Sequence, residues 1–415
     1  MKLNETQEQM INRCSRCGSC QAHCPLYLAT GVEPLVARGK VELLEHLIEG
    51  RLEWNDKLAE VFSTCLLCGN CGDNCPNQVR VDHLVREARR DLVAARGLPV
   101  IKRTVFQQLL KNDGRLSAAA RLVCFYQRSG IQRLVRAGKV LNLLPGGLTV
   151  KESLLPRLAA GEFRKLVPRV NRGKKSTLRV AYFTGCMTNY VFHRTGRSVL
   201  NLLTGNGVEV TIPEQGCCGL PALAAGDYDT AGELARRNIA GFTQSEPDYI
   251  VVDCASCLGT LLEYPRLFDD GGTFARAEEK VMDISRFLVE VLDIKLPPAT
   301  KDAGIVTYHD PCHLKRTPGG KEYPRALLKM VSGPRFVELP ADAGRCCGSA
   351  GSFNLEHYRL SREVVKPKIR ALEVMQPDII ATGCPACMLH LEHAIKDASL
   401  PARVVHTVEL LNILT

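Results

Sequence analysis

Cysteine carries the chemistry of this chain. Of nineteen cysteines in 415 residues, eighteen fall into four sets. Two runs near the N-terminus have the form C-x2-C-x2-C-x3-C-P: Cys14, Cys17, Cys20 and Cys24 before Pro25, and Cys65, Cys68, Cys71 and Cys75 before Pro76. Two larger sets follow, each a lone Cys, a Cys-Cys-Gly and a Cys-x-x-Cys. They are Cys186, Cys217, Cys218, Cys254 and Cys257, and Cys312, Cys346, Cys347, Cys384 and Cys387.

In the short runs, two residues between cysteines let a turning backbone present three sulfurs to one [4Fe–4S] cube. The fourth cysteine, before proline, ligates the other cluster in two-cluster ferredoxins. The expected ligand sets are therefore Cys14, Cys17, Cys20 and Cys75 for one cluster, and Cys65, Cys68, Cys71 and Cys24 for the other. A zinc ribbon would use two separated C-x2-C pairs instead. Each five-cysteine set holds one thiol more than tetrahedral zinc uses. Adjacent cysteines can bridge different irons of an extended cluster, and Gly219 and Gly348 allow close approach or a positive φ. Iron–sulfur binding, zinc in one set and thiol redox chemistry all stay open for these two sets.

Other candidates are weaker. His309 and His313 flank Asp310-Pro311-Cys312, where an imidazole could hydrogen-bond a cluster sulfur or deliver protons; a loop histidine with local partners is the plainer alternative. The same holds for His193. Cys124, with no cysteine near it, reads as a buried structural residue. Gly348–Gly351 is too short for a nucleotide fingerprint, and no G-x-G-x-x-G follows a strand, so neither FAD nor NAD is expected on this chain. A redox protein without an organic cofactor needs a partner that carries one.

Three blocks of secondary structure carry these residues. Residues 1–100 are expected to be a helix-rich two-cluster ferredoxin domain, with helices ending near Asn12, over Pro34–Gly50 and over about Val81–Arg96. Residues 101–178 form a basic helical connector with 17 Lys or Arg against Asp113, Glu152 and Glu162, a net 17 − 3 = +14; the remainder sums to −4. Short amphipathic helices are expected around Val105–Leu110 and Ile131–Val135, interrupted at Pro145–Gly147. Such charge suggests an acidic partner or an anionic membrane surface, or else a solvated connector. No groove-reading motif supports nucleic acid.

Residues 179–415 repeat. Cys312 follows Cys186 by 126 positions, Cys347 follows Cys218 by 129, and Cys384 follows Cys254 by 130. LRVAYFTGC and IVTYHDPC read as strands ending at a cysteine. So do VEVTIPEQGCCG and FVELPADAGRCCG, and DYIVVDCASC and DIIATGCPAC, with helices such as Thr230–Phe242 and Tyr358–Val374 between. Each half is expected to be a β-α-β-α-β unit with a parallel sheet, covering 179–300 and 301–415, and the cysteines stand at carboxyl ends of strands, where open α/β sheets place their sites. The fold class is thus α+β overall: a ferredoxin domain followed by two repeated α/β domains.

Composition is ordinary for a globular protein, at 45% hydrophobic residues. No apolar run approaches the roughly 18–20 residues that span a bilayer. The N-terminal MKLNETQEQM shows no secretory signal, so the cysteines read as reduced thiolates of a cytoplasmic protein.

Each C-terminal half resembles the cysteine-rich CCG domain of the heterodisulfide reductase catalytic subunit, whose five cysteines bind a non-cubane [4Fe–4S] cluster. The whole chain is similar to the iron–sulfur subunit of glycolate oxidase, a family that includes subunits of lactate dehydrogenases and of anaerobic glycerol-3-phosphate dehydrogenase. The motifs carrying this are the two cysteine-proline runs, Arg38-Gly39-Lys40 and Cys346-Cys347-Gly348-Ser349-Ala350-Gly351. Glycolate oxidase subunits can lack cysteines of the CCG sets; this chain keeps all ten, which draws it toward heterodisulfide-reductase-like chemistry. The resemblance implies an electron-transfer subunit of a flavin-dependent glycolate or lactate dehydrogenase. It would carry two [4Fe–4S] clusters and one or two non-cubane clusters. Its partners would be an FAD-containing dehydrogenase subunit and an acceptor such as electron-transfer flavoprotein or a quinone; the basic connector suggests a chain peripheral on the inner face of the membrane. A disulfide-cleaving catalytic subunit and a zinc-stabilised scaffold are the alternatives.

Overall fold

The computed structural model describes residues 5–138, 140–143, 147–174, 176, 178–268, 271–296, 304–341 and 343–414. Lys139, Pro145, Gly146 and the expected 300/301 boundary lie outside them.

The first module is built from helices Glu5–Asn12, Ala37–Ile48, Asp56–Ser63 and Val81–Arg96. Their apolar stripes meet in a core of Ile11, Val41, Leu44, Leu47, Leu58, Phe62, Leu84 and Val85. Local chemistry sets the boundaries: the Asn55 side chain accepts from the Leu58 N–H at 3.0 Å, a cap typically contributing about 1 kcal/mol. Gly97, at φ 74°, ends the last helix.

The connector carries the two expected helical stretches, Thr104–Leu110 and Ile131–Ala137, and between them the 16-residue helix Asp113–Arg128. Its N-cap is Asn112, which accepts from the Arg115 N–H at 3.0 Å. The outward face of this helix bears Arg121, Leu122, Phe125 and Arg128, all exposed.

Eight strands follow: β1 Val170–Asn171, β2 Leu178–Phe183, β3 Val208–Thr211, β4 Tyr249–Val252, β5 Val281–Asp283, β6 Val306–Tyr308, β7 Ile379–Thr382 and β8 Arg403–His406. The first sheet runs β1-β3-β2-β4-β5, parallel except for β1, and the second runs β6-β7-β8, all parallel. Tyr182 and Val251 face one core and Ala181, Phe183 and Val252 the other, so helices cover both faces of the first sheet.

Three features differ from the sequence expectation. Each sheet gains a last strand, β5 or β8, of only three or four residues. The segment beginning FVELPADAGRCCG forms no strand: Phe336 makes a single bridge to Val306, and Pro340 cuts the run short. Phe163 and β1, assigned by sequence to the connector, pack into the first α/β unit. Phe163 is fully buried in its core, and the β1 residue Val170 pairs with Thr211.

The modules interlock. Arg86 forks onto Glu263, with Nη2 to Oε1 at 3.0 Å. Arg89 donates to the carbonyls of Phe62, Ser63, Cys65 and Ala224. The two α/β halves meet where the Ala255 N–H donates to the Gly383 carbonyl at 3.0 Å and His406 donates to the Asp253 carbonyl at 2.7 Å.

Candidate metal-cluster sites

The two N-terminal runs fold alike. Arg16 and Gly18 flank Cys17 in the left-handed region, as Leu67 and Gly69 flank Cys68. This double reversal turns each loop so that successive thiols point inward. Short helices Ser19–His23 and Asn70–Asp73 follow, and Pro25 occupies the first turn of helix Pro25–Thr30, where a missing N–H costs nothing.

Two small cavities result. Cys14, Cys17, Cys20 and Cys75 line the first, and Cys24, Cys65 and Cys68 the second; Cys71 stands on the wall between and lines both. Cys24 and Cys75 have therefore each crossed to the other run's cavity. The first cavity is peripheral, with Cys17 exposed, whereas Cys68 is buried.

Burial raises the Cys24 thiol to about 11 and pushes Cys71 well up. Such thiols ionise only when a cation compensates. Part of the compensation is built in. Lys40 is 1% exposed, donates to the Leu35 and Pro34 carbonyls at 2.6 and 3.3 Å, and faces Cys65 and Cys24. Asp82 keeps its carboxyl well below the usual range despite burial, through Arg80, His83 and Arg316.

The five-cysteine sets occupy the strand ends. Cys186 follows β2, Cys254 β4, Cys312 β6 and Cys384 β7, while Cys217–Cys218 and Cys346–Cys347 come from loops. Gly219 has φ 84° with its missing Cβ 3.2 Å from Ala231; Gly348 has φ 93° with 3.1 Å to the Ser361 carbonyl. Both conditions demand glycine, and the Cys-Cys pair is thereby held against the helix behind it. Within the first set the neighbouring thiols are Cys186–Cys217, Cys217–Cys218, Cys218–Cys257 and Cys257–Cys254. Within the second they are Cys312–Cys346, Cys346–Cys347, Cys347–Cys387 and Cys387–Cys384. The Cys347 and Cys387 sulfurs are 3.5 Å apart.

The sets also touch one another. Cys68 of the ferredoxin module neighbours Cys346, and Cys254 neighbours Cys384. A file of sulfurs thus runs from Cys68 through Cys346, Cys347, Cys387, Cys384, Cys254, Cys257, Cys218 and Cys217 to Cys186. No cysteine among the described residues is in a disulfide. Clustered soft thiols, half of them buried and Cys17 alone exposed, fit iron–sulfur ligation in all four sets.

Of the histidines, His309 is fully buried with neither ring nitrogen hydrogen-bonded, and its ligand atom lies within 4.8 Å of those of Cys347 and Cys387. His313 Nδ1 is 3.6 Å from Cys312 Sγ. Its ring fills the space a side chain at Gly259 would need, which locks the two halves together. His193 instead meets the Asn189 carbonyl at 3.0 Å and the Phe163 ring, apart from every thiol set. Cys124 is half-buried rather than buried, and donates to the Ala159 carbonyl.

From sequence Lys40 stands out only within Arg38-Gly39-Lys40, with no role at a site, and Lys368 does not stand out. Lys40 precedes Leu44 by one helical turn and Lys368 precedes Leu372 likewise. A lysine on the apolar face of an amphipathic helix was the available signal.

Comparison with known proteins gives a consistent picture. The 4Fe-4S dicluster domain family matches residues 10–79, the linker region of the glycolate oxidase iron-sulfur subunit matches 97–155, and the cysteine-rich CCG domain matches 180–262 and 306–392. The probable glycolate oxidase iron-sulfur subunit of Bacillus subtilis (strain 168) is 32% identical over 429 residues, covering 98% of this chain and 96% of that one. Lactate utilization protein A of Oceanobacillus iheyensis is 33% identical over 57% of this chain and 97% of its own. In fold, the chain resembles a hypothetical protein from Helicobacter pylori, with TM-score 0.51 and 7% identity over 99% of this chain and 73% of that one.

Proposed function

We propose, from the premise that this chain belongs to the glycolate oxidase iron–sulfur subunit family, that it conducts electrons from a partner flavin subunit to a terminal acceptor. The observation that carries the reading is the unbroken file of sulfurs from the ferredoxin module through both CCG sets. Cys14, Cys17, Cys20 and Cys75 would hold one [4Fe–4S] cluster, Cys24, Cys65, Cys68 and Cys71 a second, and the two five-cysteine sets one non-cubane cluster each. When bound, such clusters supply one-electron acceptance and release.

The protein's own residues give the file a direction and insulation. Cys17 lies at the surface, which suits contact with a flavin subunit. Cys68 and Cys346 form the inner junction, and Asp82 braces it: the carboxylate binds Arg80 from its own module and Arg316 from the second half at 3.2 Å. Leu26, Leu66 and Phe353 pack around the same junction and keep water out. Hydroxyacid oxidation belongs to the partner, with glycolate or lactate as the substrate class. The acceptor is a quinone or a protein docked at the membrane face.

No helix among the described residues is long and apolar enough to cross a membrane. The exposed side of helix Asp113–Arg128 combines Leu122 and Phe125, 70% and 63% exposed, with Arg121 and Arg128. This favours peripheral docking on an anionic surface.

Cys68→Ser tests the route. In a reconstituted complex it should leave the set around Cys14 reducible by the hydroxyacid and abolish acceptor reduction. Acceptor reduction at the wild-type rate by this variant would refute the route.

A further inference from the structure

The two CCG halves share a backbone plan but face their thiols with different charges. Superposing the repeat by its cysteines sets His309 where the first half has Phe183, and Lys368 where it has Asn238. Gly383 stands where the first half has Asp253.

In the first half, Phe183 is apolar packing against Phe242. Asn238 is neutral and hydrogen-bonds the Gly216 N–H and the Cys217 carbonyl. Asp253, fully buried beside Cys254, accepts from Tyr182 and Thr188 at 2.7 Å each, and burial pushes its carboxyl up to about 7. Arg164 is the cation felt by Cys186. In the second half, the His309 ring faces Cys347 and Cys387 with both nitrogens unpaired. Lys368, 2% exposed, donates to the Ala343 carbonyl and places its charge by Cys346, Cys347 and Cys387. His313 and Arg316 add to this around Cys312. Of the acids near this set, Asp310 is paired with Arg325 at 2.7 Å and Asp82 with Arg316 at 3.2 Å.

We infer that the second CCG set, Cys312, Cys346, Cys347, Cys384 and Cys387, is the more readily reduced of the pair, and that His309 and Lys368 are the positioning residues that set this order. The inference rests on the reading that both sets hold iron–sulfur clusters. Its physical basis is that reduction adds one negative charge to the site. Buried cations and an imidazole within 4.8 Å of two of the sulfurs stabilise that charge, and in their places the first half has the neutral Asn238 and the apolar Phe183. The electron comes from the ferredoxin module, whose Cys68 meets this set first. The second set is then a store in mid-file, and the first set passes electrons on only when the acceptor draws them.

The test is an EPR-monitored redox titration of the full chain, purified anaerobically, after metal analysis. Cys346→Ser and Cys217→Ser assign the signals of the second and first sets. The second set should have the higher midpoint. His309→Phe and Lys368→Asn, which install the first half's residues, should each lower it about tenfold in reduction equilibrium, about 59 mV for one electron. His309→Gln, which keeps a buried donor, should restore part of the shift and guards against loss of folding. A full iron complement with the second midpoint lower, or unmoved in both variants, would overturn the ordering alone. Fewer than about sixteen irons per wild-type chain would overturn the two-cluster reading and the ordering with it.

Discussion

Replacing Cys24 by serine separates the crossed arrangement from a sequential one. Cys24 is four residues from Cys20 but lines the cavity of Cys65 and Cys68, and Lys40 lies over it. The variant should therefore lose about four of about sixteen irons, from the set that Cys68→Ser also empties, and leave the set of Cys14, Cys17 and Cys20 loaded. Stability should fall as well. Among the described residues Lys40 has the Pro34 and Leu35 carbonyls as hydrogen-bond acceptors; without an anionic site beside it, a buried ammonium stands alone. Breaking a buried charge pairing costs about 3–5 kcal/mol. Adding Lys40→Met to Cys24→Ser should recover part of that loss, whereas Lys40→Met alone should destabilise. Metal analysis and EPR read the first effect, and denaturant unfolding of the four proteins reads the second. If Cys24→Ser reproduced the spectrum of Cys17→Ser, the crossed assignment would be wrong. If the double variant were no more stable than Cys24→Ser, so would the role of Lys40.

A C-terminal fragment starting near residue 157 should fold and retain iron. One starting at 178 loses Phe163 and β1 and should be less stable by about 3–5 kcal/mol, the usual cost of removing a buried phenylalanine, as chemical denaturation would show. Charge reversal at Arg121, Arg128 and Arg133 should release the chain from anionic vesicles without altering its cluster spectra; binding that survives both reversal and high salt would show a solvated connector. His406 is buried, donates to Asp253 and accepts from the Val408 N–H at 3.3 Å, and burial lowers it to about 4. Its folded value lies below its unfolded one, so its contribution is present above about pH 6.5 and is lost as pH falls toward 4. His406→Gln should flatten that part of the stability profile in unfolding experiments run across pH.

Much of this arrangement was readable in the residues, because thiols at fixed spacing, leucines one turn apart and strands ending at cysteines are local signals. Helices Val81–Arg96 and Tyr358–Met375 stand where periodicity placed them. Helix Asp113–Arg128 escaped notice because its apolar residues divide between a packed side with Leu116 and an exposed side with Leu122 and Phe125, so no single stripe marks it. β5 and β8 are three or four residues long, and their existence depends on a neighbouring strand edge. The Val337–Leu339 run has strand composition, but Pro340 follows and no outer strand like β1 covers it among the described residues. The contacts of Cys68 with Cys346 and of Cys254 with Cys384 join residues more than a hundred positions apart. No spacing rule encodes them; they follow from how three modules dock.

Electron flow along the file of sulfurs requires iron in all four cysteine sets of one chain. Quantifying iron and zinc in anaerobically purified full-length protein tests it most directly. The protein should carry about sixteen irons per chain and no stoichiometric zinc. About eight irons with one or two zinc ions would contradict it, leaving the CCG halves as a scaffold and the file of sulfurs without a path for electrons.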